Sequence, residues 1–564
     1  MQIYKNTSFL SISVLLLLFS CKNTDSSIKE DTNGFKGGNK VVRIAEVVPV
    51  KNIFPHQIIN YVEGIVVAQM HEGLLKMNPK DMTIMPGIAE KWEISADGKT
   101  VVFTLRKNAK FQANDGFEAK PITSKDVKFT FELLCTEGNK NVHYETVCKD
   151  RIVGANDFRD KKASSIAGFK IIDDYTFSIQ LINNASIFLE ILTNPVASII
   201  SQEAYSKQKD ALVVGAGPFI YDTKASTPKH FVFYKNINYY AVDKDGNALP
   251  YLDSIIVDVL ANTEESLIKF KEGKYDHIGS VPSNQLKNIV ESNINEFKGN
   301  PPKFIIDQRP EMISSYYTLN INKAPLNDLK VRQAINYAID KNKIIDKVLF
   351  GQAYGPAVYG LVPPSFSYYK NTEINGYDIN IDKAKKLLSE AGFAEGKNFP
   401  ELQLIVNGGN TRNNSVAAEI QKQLKANLNI NVTFESMASA DKYQFQLDGK
   451  GDIFSDGWVA DYPSPESFLS VFYGAYLKPN EPHRYPNTMA YNNTDYNKYY
   501  EQGRNAASRD SAAKYFVKAD QILMNDAVII PLIYESNCRL VSNKLKNYFS
   551  SPLRNFDFTR VKID

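Results

Sequence analysis

The chain is poor in cysteine, tryptophan and histidine, and it carries almost no excess charge. Its 564 residues include 4 Cys, 2 Trp and 6 His. None of His56, His71, His143, His230, His277 and His483 lies four residues from another, so the paired histidines of a helical zinc site are missing. His71-Glu72 stands alone, and each histidine reads as a surface or hydrogen-bonded residue. No cysteine pair has the CxxC spacing of a zinc or redox site. There is no Gly-x-Ser-x-Gly elbow, phosphate loop or calcium loop. Gly215-Ala216-Gly217 has too few glycines for a dinucleotide loop. Asp173-Asp174 and Glu264-Glu265 fall at turns or helix starts, where carboxylates have ordinary structural roles. These absences leave no signal for an enzyme, a cofactor or a bound metal. With 66 Lys and Arg against 63 Asp and Glu, the net charge of +3 provides no electrostatic footprint for nucleic acid. No apolar run reaches the roughly 20 residues of a membrane span.

What is present fits a multidomain globular chain: 43% hydrophobic and 12% aromatic residues, with 31 Tyr and 32 Phe. The N-terminus reads as a signal peptide over residues 1–20. Lys5 precedes the apolar run Phe9 to Phe19, and Leu18-Phe19-Ser20-Cys21 resembles a bacterial lipobox, with Phe19 an untypical choice. The expectation is cleavage before Cys21 and acylation of its thiol, anchoring the chain to a membrane. The alternative is a plain signal peptide with an incidental cysteine. Residues 21–40 are polar and rich in Gly and Asn, as in a flexible tether. An exported chain meets an oxidising compartment, where Cys135 and Cys148 can close a short disulfide loop, although spacing does not force one. Cys538 reads as a small buried hydrophobe.

The periodicity alternates between strand and helix. Asp97-Gly98 and Asp173-Asp174 each sit between alternating runs, as hairpin turns do. Thr123 and Asp126 form a capping box. Ser254–Leu260, Glu264–Lys271 and Tyr275–Gly279 read as strand, helix, strand. Leu402–Val406, Asn414–Leu428 and Ile430–Phe434 repeat that order, so at least two α/β lobes are expected. Further strands are expected at 313–321 and 528–534. Residues 135–165 read as loop. Just past the second unit stands Gly457-Trp458-Val459-Ala460-Asp461-Tyr462-Pro463-Ser464-Pro465-Glu466. Asp461 is a turn residue on local grounds, and Ser464-Pro465 a helix start. Its place at the strand end of a lobe is where ligand-binding loops gather.

Several segments, taken in order, resemble the family 5 extracytoplasmic solute-binding proteins of the peptide, oligopeptide and nickel ABC transporters. They are Glu72-Gly73-Leu74-Leu75; Ile88 to Ile94 with Asp97-Gly98; Phe103 to Arg106; Lys110-Phe111 with Asp115-Gly116; and Ser124-Lys125-Asp126-Val127. Then follow Gly217-Pro218-Phe219, Asn238-Tyr239-Tyr240, Val331 to Asp340, and Trp458 to Pro465. The resemblance implies an α/β fold of two lobes joined by a hinge, with an extra, smaller α+β domain inserted in lobe I. By position, lobe I takes residues 41–81, 201–308 and 529–564, the extra domain 82–200, and lobe II 309–528. It implies a monomeric, non-enzymatic receptor that binds short peptides between the lobes and delivers them to an ABC permease. The alternatives are a receptor for a nickel chelate, opine or saccharide, and a sensory or adhesive receptor without transport. It assigns Asp461 to the peptide's α-ammonium and Gly457, Trp458 and Val459 to its main chain. Tyr61, Val62 and Glu63 correspond to the facing segment of lobe I, or simply start a helix. Arg309, near the lobe crossing, is the candidate for the ligand carboxylate. Arg332 is expected to be a helix-face residue.

Overall fold

A computed structural model describes residues 38–564 other than 115, 139–140, 282–285, 300–301, 409–410, 478–485, 550–551 and 553–555. The signal segment 1–20, Cys21 and most of the 21–40 tether lie outside the described residues.

The largest sheet has eleven strands. In spatial order they are Phe219–Tyr221, His230–Lys235, Ser254–Val259, Val41–Glu46, His277–Ile278, Ile529–Ser542, Phe304–Leu319, Ile453–Val459, Leu402–Asn407 and Val432–Met437, with Gly355–Pro356 added to the side of Ile529–Ser542. At one end, Val41–Glu46 lies parallel between Ser254–Val259 and His277–Ile278, and helix Thr263–Lys271 carries the chain across. At the other, Leu402–Asn407 and Val432–Met437 are parallel and joined by helix Thr411–Leu428. Both strand–helix–strand units are those the periodicity predicts. Separate cores form beneath them. Ala45, Phe270, Ile278, Phe304 and Leu540 pack at the first end, and Leu319, Ile335, Leu404, Ile420, Ile453 and Ile530 at the second.

Two long strands join the ends. Phe304–Leu319 runs 16 residues and Ile529–Ser542 runs 14. They pair antiparallel from Phe304 opposite Ser542 to Thr318 opposite Ile529, with register shifts between Pro310 and Ser314 and between Ser315 and Tyr316. The sequence marks only their apolar halves as strand. Asp307-Gln308-Arg309-Pro310-Glu311 has the composition of a turn, but the long-range ladder overrides it, and Pro310 is tolerated at the irregularity. Charge is buried here too. Arg539, 2% exposed, donates to Glu311 Oε1 at 3.1 Å and lies 3.7 Å from Asp307.

A four-stranded antiparallel sheet stands apart: Ala89–Ile94, Thr100–Leu105, Thr176–Gln180, Phe169–Asp173. Its two hairpins turn at the two predicted sites, with Gly98 at φ +74°. Phe103 and Phe169 stack on Phe177 at 5.3 and 5.2 Å. Helix Ser124–Cys135 starts where the capping box predicts: the Asp126 carboxylate accepts the Thr123 N–H and hydroxyl, both at 2.9 Å. Residues 135–165 are not all loop. They contain the helices Tyr144–Val147 and Ala155–Arg159, which are too short to show a period. The disulfide expectation is corrected: Cys135 and Cys148 are free, buried thiols in contact through a hydrogen bond. The histidine expectation is corrected in part. His56, His71 and His277 are interior, and burial first of all pushes their pKa values down to about 3, about 4 and about 3, so they are neutral.

Helix Arg509–Asp526 carries Asp520 into the interior with no exposure. Its carboxylate accepts the N–H groups of Leu361 at 2.9 Å and Val362 at 3.2 Å, and the Tyr369 hydroxyl at 2.9 Å. Asp520→Ala leaves the buried Leu361 and Val362 N–H groups unpaired and the Tyr369 hydroxyl with only the Phe516 carbonyl at 3.5 Å, and the expected loss is about 2–4 kcal/mol. Urea unfolding with an unchanged slope checks it.

Candidate ligand-binding site

The strand Ile453–Val459 pairs with Phe304–Leu319 along its whole length, Ile453 opposite Leu319 and Val459 opposite Ile313. Its other edge meets Leu402–Asn407 only at Ile453 and Phe454. From Ser455 onward no strand among the described residues covers that edge. Direction follows from alternation in an antiparallel ladder. Asn320 N–H donates to the Asp452 carbonyl at 2.9 Å, and Ala460 N–H to the Met312 carbonyl at 2.9 Å. Even-numbered residues therefore turn their main chain toward the long strand, and Ser455, Gly457 and Val459 turn theirs to the open edge. The Lys442 ammonium at 2.7 Å from the Ser455 carbonyl agrees with that direction. Gly457 has no side chain to block the edge, and a Cβ there would meet the Ser314 carbonyl at 3.1 Å.

Asp461 follows directly. One buried hydroxyl fixes both it and the tryptophan: Ser467 Oγ accepts Asp461 N–H at 3.0 Å and Trp458 Nε1–H at 3.3 Å. Asn194, from beyond the four-stranded sheet, donates to the Asp461 carbonyl at 3.4 Å. The Asp461 side chain is open to solvent but crowded by protein on most sides. Loss of hydration pushes its pKa up to about 6; Glu466 adds to the rise and Arg151 opposes it. The helix Pro465–Leu469 begins as predicted, with Ser464 as cap.

Behind this segment lies a buried charge cluster that the sequence did not reveal. Glu466, 1% exposed, accepts the hydroxyls of Tyr462 and Tyr500. Arg504 lies 3.7 Å away and Arg151 4.0 Å. Arg151 also donates to the Tyr462 hydroxyl at 3.1 Å across 311 residues of sequence.

Two cavities adjoin the open edge and share Gly457, Asp456, Tyr316 and Asn407. One, of about 320 Å³, includes Trp458, Phe472, Thr318 and Lys442. Asp456 in it accepts Thr318 Oγ1 at 2.6 Å and Gln446 Nε2 at 2.8 Å, and pairs with Lys442. The other, of about 280 Å³, includes Ser315, Arg412 and Glu535.

The remaining sequence candidates lie elsewhere. Tyr61 opens helix Tyr61–Met70, half-buried, and its hydroxyl donates to Glu46 at 3.0 Å. Val62 and Glu63 are corrected as ligand contacts, since both are fully buried. The Glu63 carboxylate accepts the N–H groups of Lys51, Asn52 and Ile59 at 2.9, 3.0 and 2.8 Å, so it organises the preceding loop. The exposed residue there is Ile59. Arg309 lies in the long strand Phe304–Leu319, but its guanidinium pairs with Asp307 at 2.9 Å and it lines neither cavity. Arg332 is structural, as expected. It donates to the Asp526 carbonyl at 2.7 Å and the Leu326 carbonyl at 2.9 Å. No group of three metal-ligating side chains occurs among the described residues.

Comparison with known proteins decides the family. The model described as "Bacterial extracellular solute-binding proteins, family 5 Middle" matches residues 83–480. The chain belongs to family 5. Among family 5 relatives, the periplasmic oligopeptide-binding protein OppA of Salmonella typhimurium is 27% identical over 518 residues, 90% of this chain and 89% of that protein. Heme-binding protein A of Haemophilus influenzae is 28% identical over 512 residues, 88% and 87% of the two chains. In fold, the chain is similar to the periplasmic murein tripeptide binding protein MppA in its unliganded open form, at a TM-score of 0.76 and 22% identity, covering 93% and 98% of the two chains. Family 5 fixes the fold class as the mixed α/β, two-lobed architecture expected from the sequence. It also supports an extracytoplasmic location.

Proposed function

We propose that this protein is the substrate receptor of an ABC importer, binding short peptides in extended form between its lobes and handing them to the permease without chemical change. The observation that carries the reading is the uncovered edge of Ser455, Gly457 and Val459 ending at Asp461. An extended peptide can add to that edge through its main chain, which tolerates varied side chains, while Asp461 takes the α-ammonium. Relatives named for oligopeptide and dipeptide binding support it. We propose the lobe limits given by sequence, with the four-stranded sheet in the extra domain, a monomeric state, and an acylated Cys21 as the membrane anchor. Isothermal titration with a panel of short peptides tests the reading. Binding should be strong with a free amino terminus and nearly lost on N-acetylation; equal affinity for both forms overturns it.

The raised pKa of Asp461 gives this reading a pH signature. The ammonium needs the carboxylate, and the empty site holds a growing fraction of carboxylic acid as pH falls through about 6. Affinity should be greatest near neutrality, fall by about tenfold per pH unit below 6 with proton release on binding, and decline again toward pH 8 as the peptide's α-ammonium, with a pKa of about 7.7–8.0, loses its proton. Titrations from pH 5 to 8 check it, and the Asp461→Asn variant should be flat over the same range.

A second reading, a non-peptide solute, draws on the similarity to a protein named for heme binding. Mass spectrometry of co-purified ligand separates the two. A solute without a free ammonium favours the second.

A further inference from the structure

The charge cluster behind Asp461 does not balance. Two guanidiniums, Arg151 and Arg504, share the single carboxylate of Glu466, and they repel one another. The Tyr462 and Tyr500 hydroxyls add no charge, because burial first of all pushes their pKa values well up. Asp461 attracts Arg151 as well, but it lies outside the cavity that the two guanidiniums line. That cavity, of about 10 Å³, has room for one particle the size of a water molecule. Its polar lining is Arg151, Arg504, Asn183 and Asn184; the rest is apolar, and no carboxylate lines it among the described residues. The Ile182 N–H donates to the Arg151 carbonyl at 2.8 Å, which sets Asn183 and Asn184 next to Arg151. Arg504 reaches the cavity from the last turn of helix Thr494–Arg504.

What these four side chains have left over is donors. Arg151 uses Nε on the Thr146 carbonyl at 2.9 Å and Nη2 on the Tyr462 hydroxyl at 3.1 Å, and its Nη1 has no hydrogen bond among the described residues. Arg504 meets Glu466 through Nε at 3.7 Å, and neither of its Nη groups has a hydrogen bond among the described residues. Asn184 Oδ1 accepts the Ser186 N–H at 3.2 Å, so what remains to that side chain is its amide N–H groups. The Asn183 side chain has no hydrogen bond among the described residues. The two arginine side chains are 16% and 15% exposed, so solvent and its ions reach them. A water molecule can accept from these donors but brings no charge. A monovalent anion does both, and a polyatomic one such as phosphate is too large for the space. We propose that Arg151, Arg504, Asn183 and Asn184 bind one small monovalent anion of the halide class. The site does not depend on the peptide reading. Arg151 opposes the rise in the Asp461 pKa, so an anion beside it works against that opposition and ties the ion to the ligand-binding segment.

Chlorine NMR of the protein in sodium chloride tests it in the wild type, Arg504→Gln and Asn183→Ala. The wild type should broaden the chloride line, and sodium bromide should reverse that broadening where sodium gluconate at equal ionic strength does not. Arg504→Gln should weaken chloride by about tenfold or more, the equivalent of one charge-assisted hydrogen bond. Asn183→Ala removes an uncharged donor that has no other partner, so it should keep the wild-type circular dichroism and weaken chloride by about threefold. Crystals soaked in sodium bromide should show an anomalous peak between the two guanidiniums. The absence of that peak overturns the site. So does broadening that gluconate reverses as well as bromide, or that neither substitution changes; the cavity then holds water, and the broadening reports general screening.

Discussion

Asp461→Asn weakens binding of free-amine peptides by about a hundredfold and leaves N-acetylated peptides where they were. The size follows from the environment. The carboxylate is crowded enough to hold its proton up to about pH 6, and a ligand that covers this solvent-open side chain removes the water that would otherwise screen the pair. Asparagine keeps the shape, and it keeps the main-chain bonds to Ser467 and Asn194, which involve the backbone N–H and carbonyl. What goes is the charge. The acetylated peptide has no ammonium, so it should not register the substitution. Calorimetric titration of both peptides on both proteins gives the coupling directly, and a uniform loss for both would mean that the loop had moved.

Glu466→Ala should be the most damaging single change near the site, at about 3–5 kcal/mol, because it strands two largely buried guanidiniums. The side chains of Arg151 and Arg504 are 16% and 15% exposed, and the hydroxyls of Tyr462 and Tyr500 also lose their acceptor. Trp458 is the convenient reporter, since the only other tryptophan is Trp92. In a Trp92→Phe background, the fluorescence-detected urea midpoint should fall sharply. Glu466→Gln is informative in a different way. Glu466 is the second largest cause raising the Asp461 pKa, after burial. Neutralising it should move the pH dependence of peptide binding to lower pH, an effect that loss of stability alone does not produce.

Local chemistry was legible in the sequence. The Asp97-Gly98 turn, the Thr123–Asp126 box and the Ser464-Pro465 start all act within a few residues, and all stand where predicted. Both strand–helix–strand units were legible because their apolar periods are strong. What distant chain supplies was not. The polar half of Phe304–Leu319 becomes strand only because Ile529–Ser542 pairs with it. Arg412 and Glu535 are 123 residues apart, and nothing in either neighbourhood announces the pair. Glu63 misled for the opposite reason: a carboxylate beside a presumed ligand segment looks functional, yet its partners are three N–H groups of its own loop. Asp461 follows directly on the open strand edge, but its raised pKa comes first from burial and then from Glu466, against the opposing charge of Arg151, and neither that burial nor Arg151, which comes from a remote segment, shows in the local sequence.

The order of strands has a consequence for how the chain is made. Ile529–Ser542 lies between His277–Ile278 and Phe304–Leu319 in the sheet, but it follows both of them by more than two hundred residues. Until it emerges, the large sheet is missing an interior member, and its two neighbours cannot join through it. Early native completion is thereby denied to the N-terminal portion, since its closing contacts span more than two hundred residues. A polypeptide bound for export must cross the membrane before it locks, and this topology withholds the lock until that distant strand has emerged.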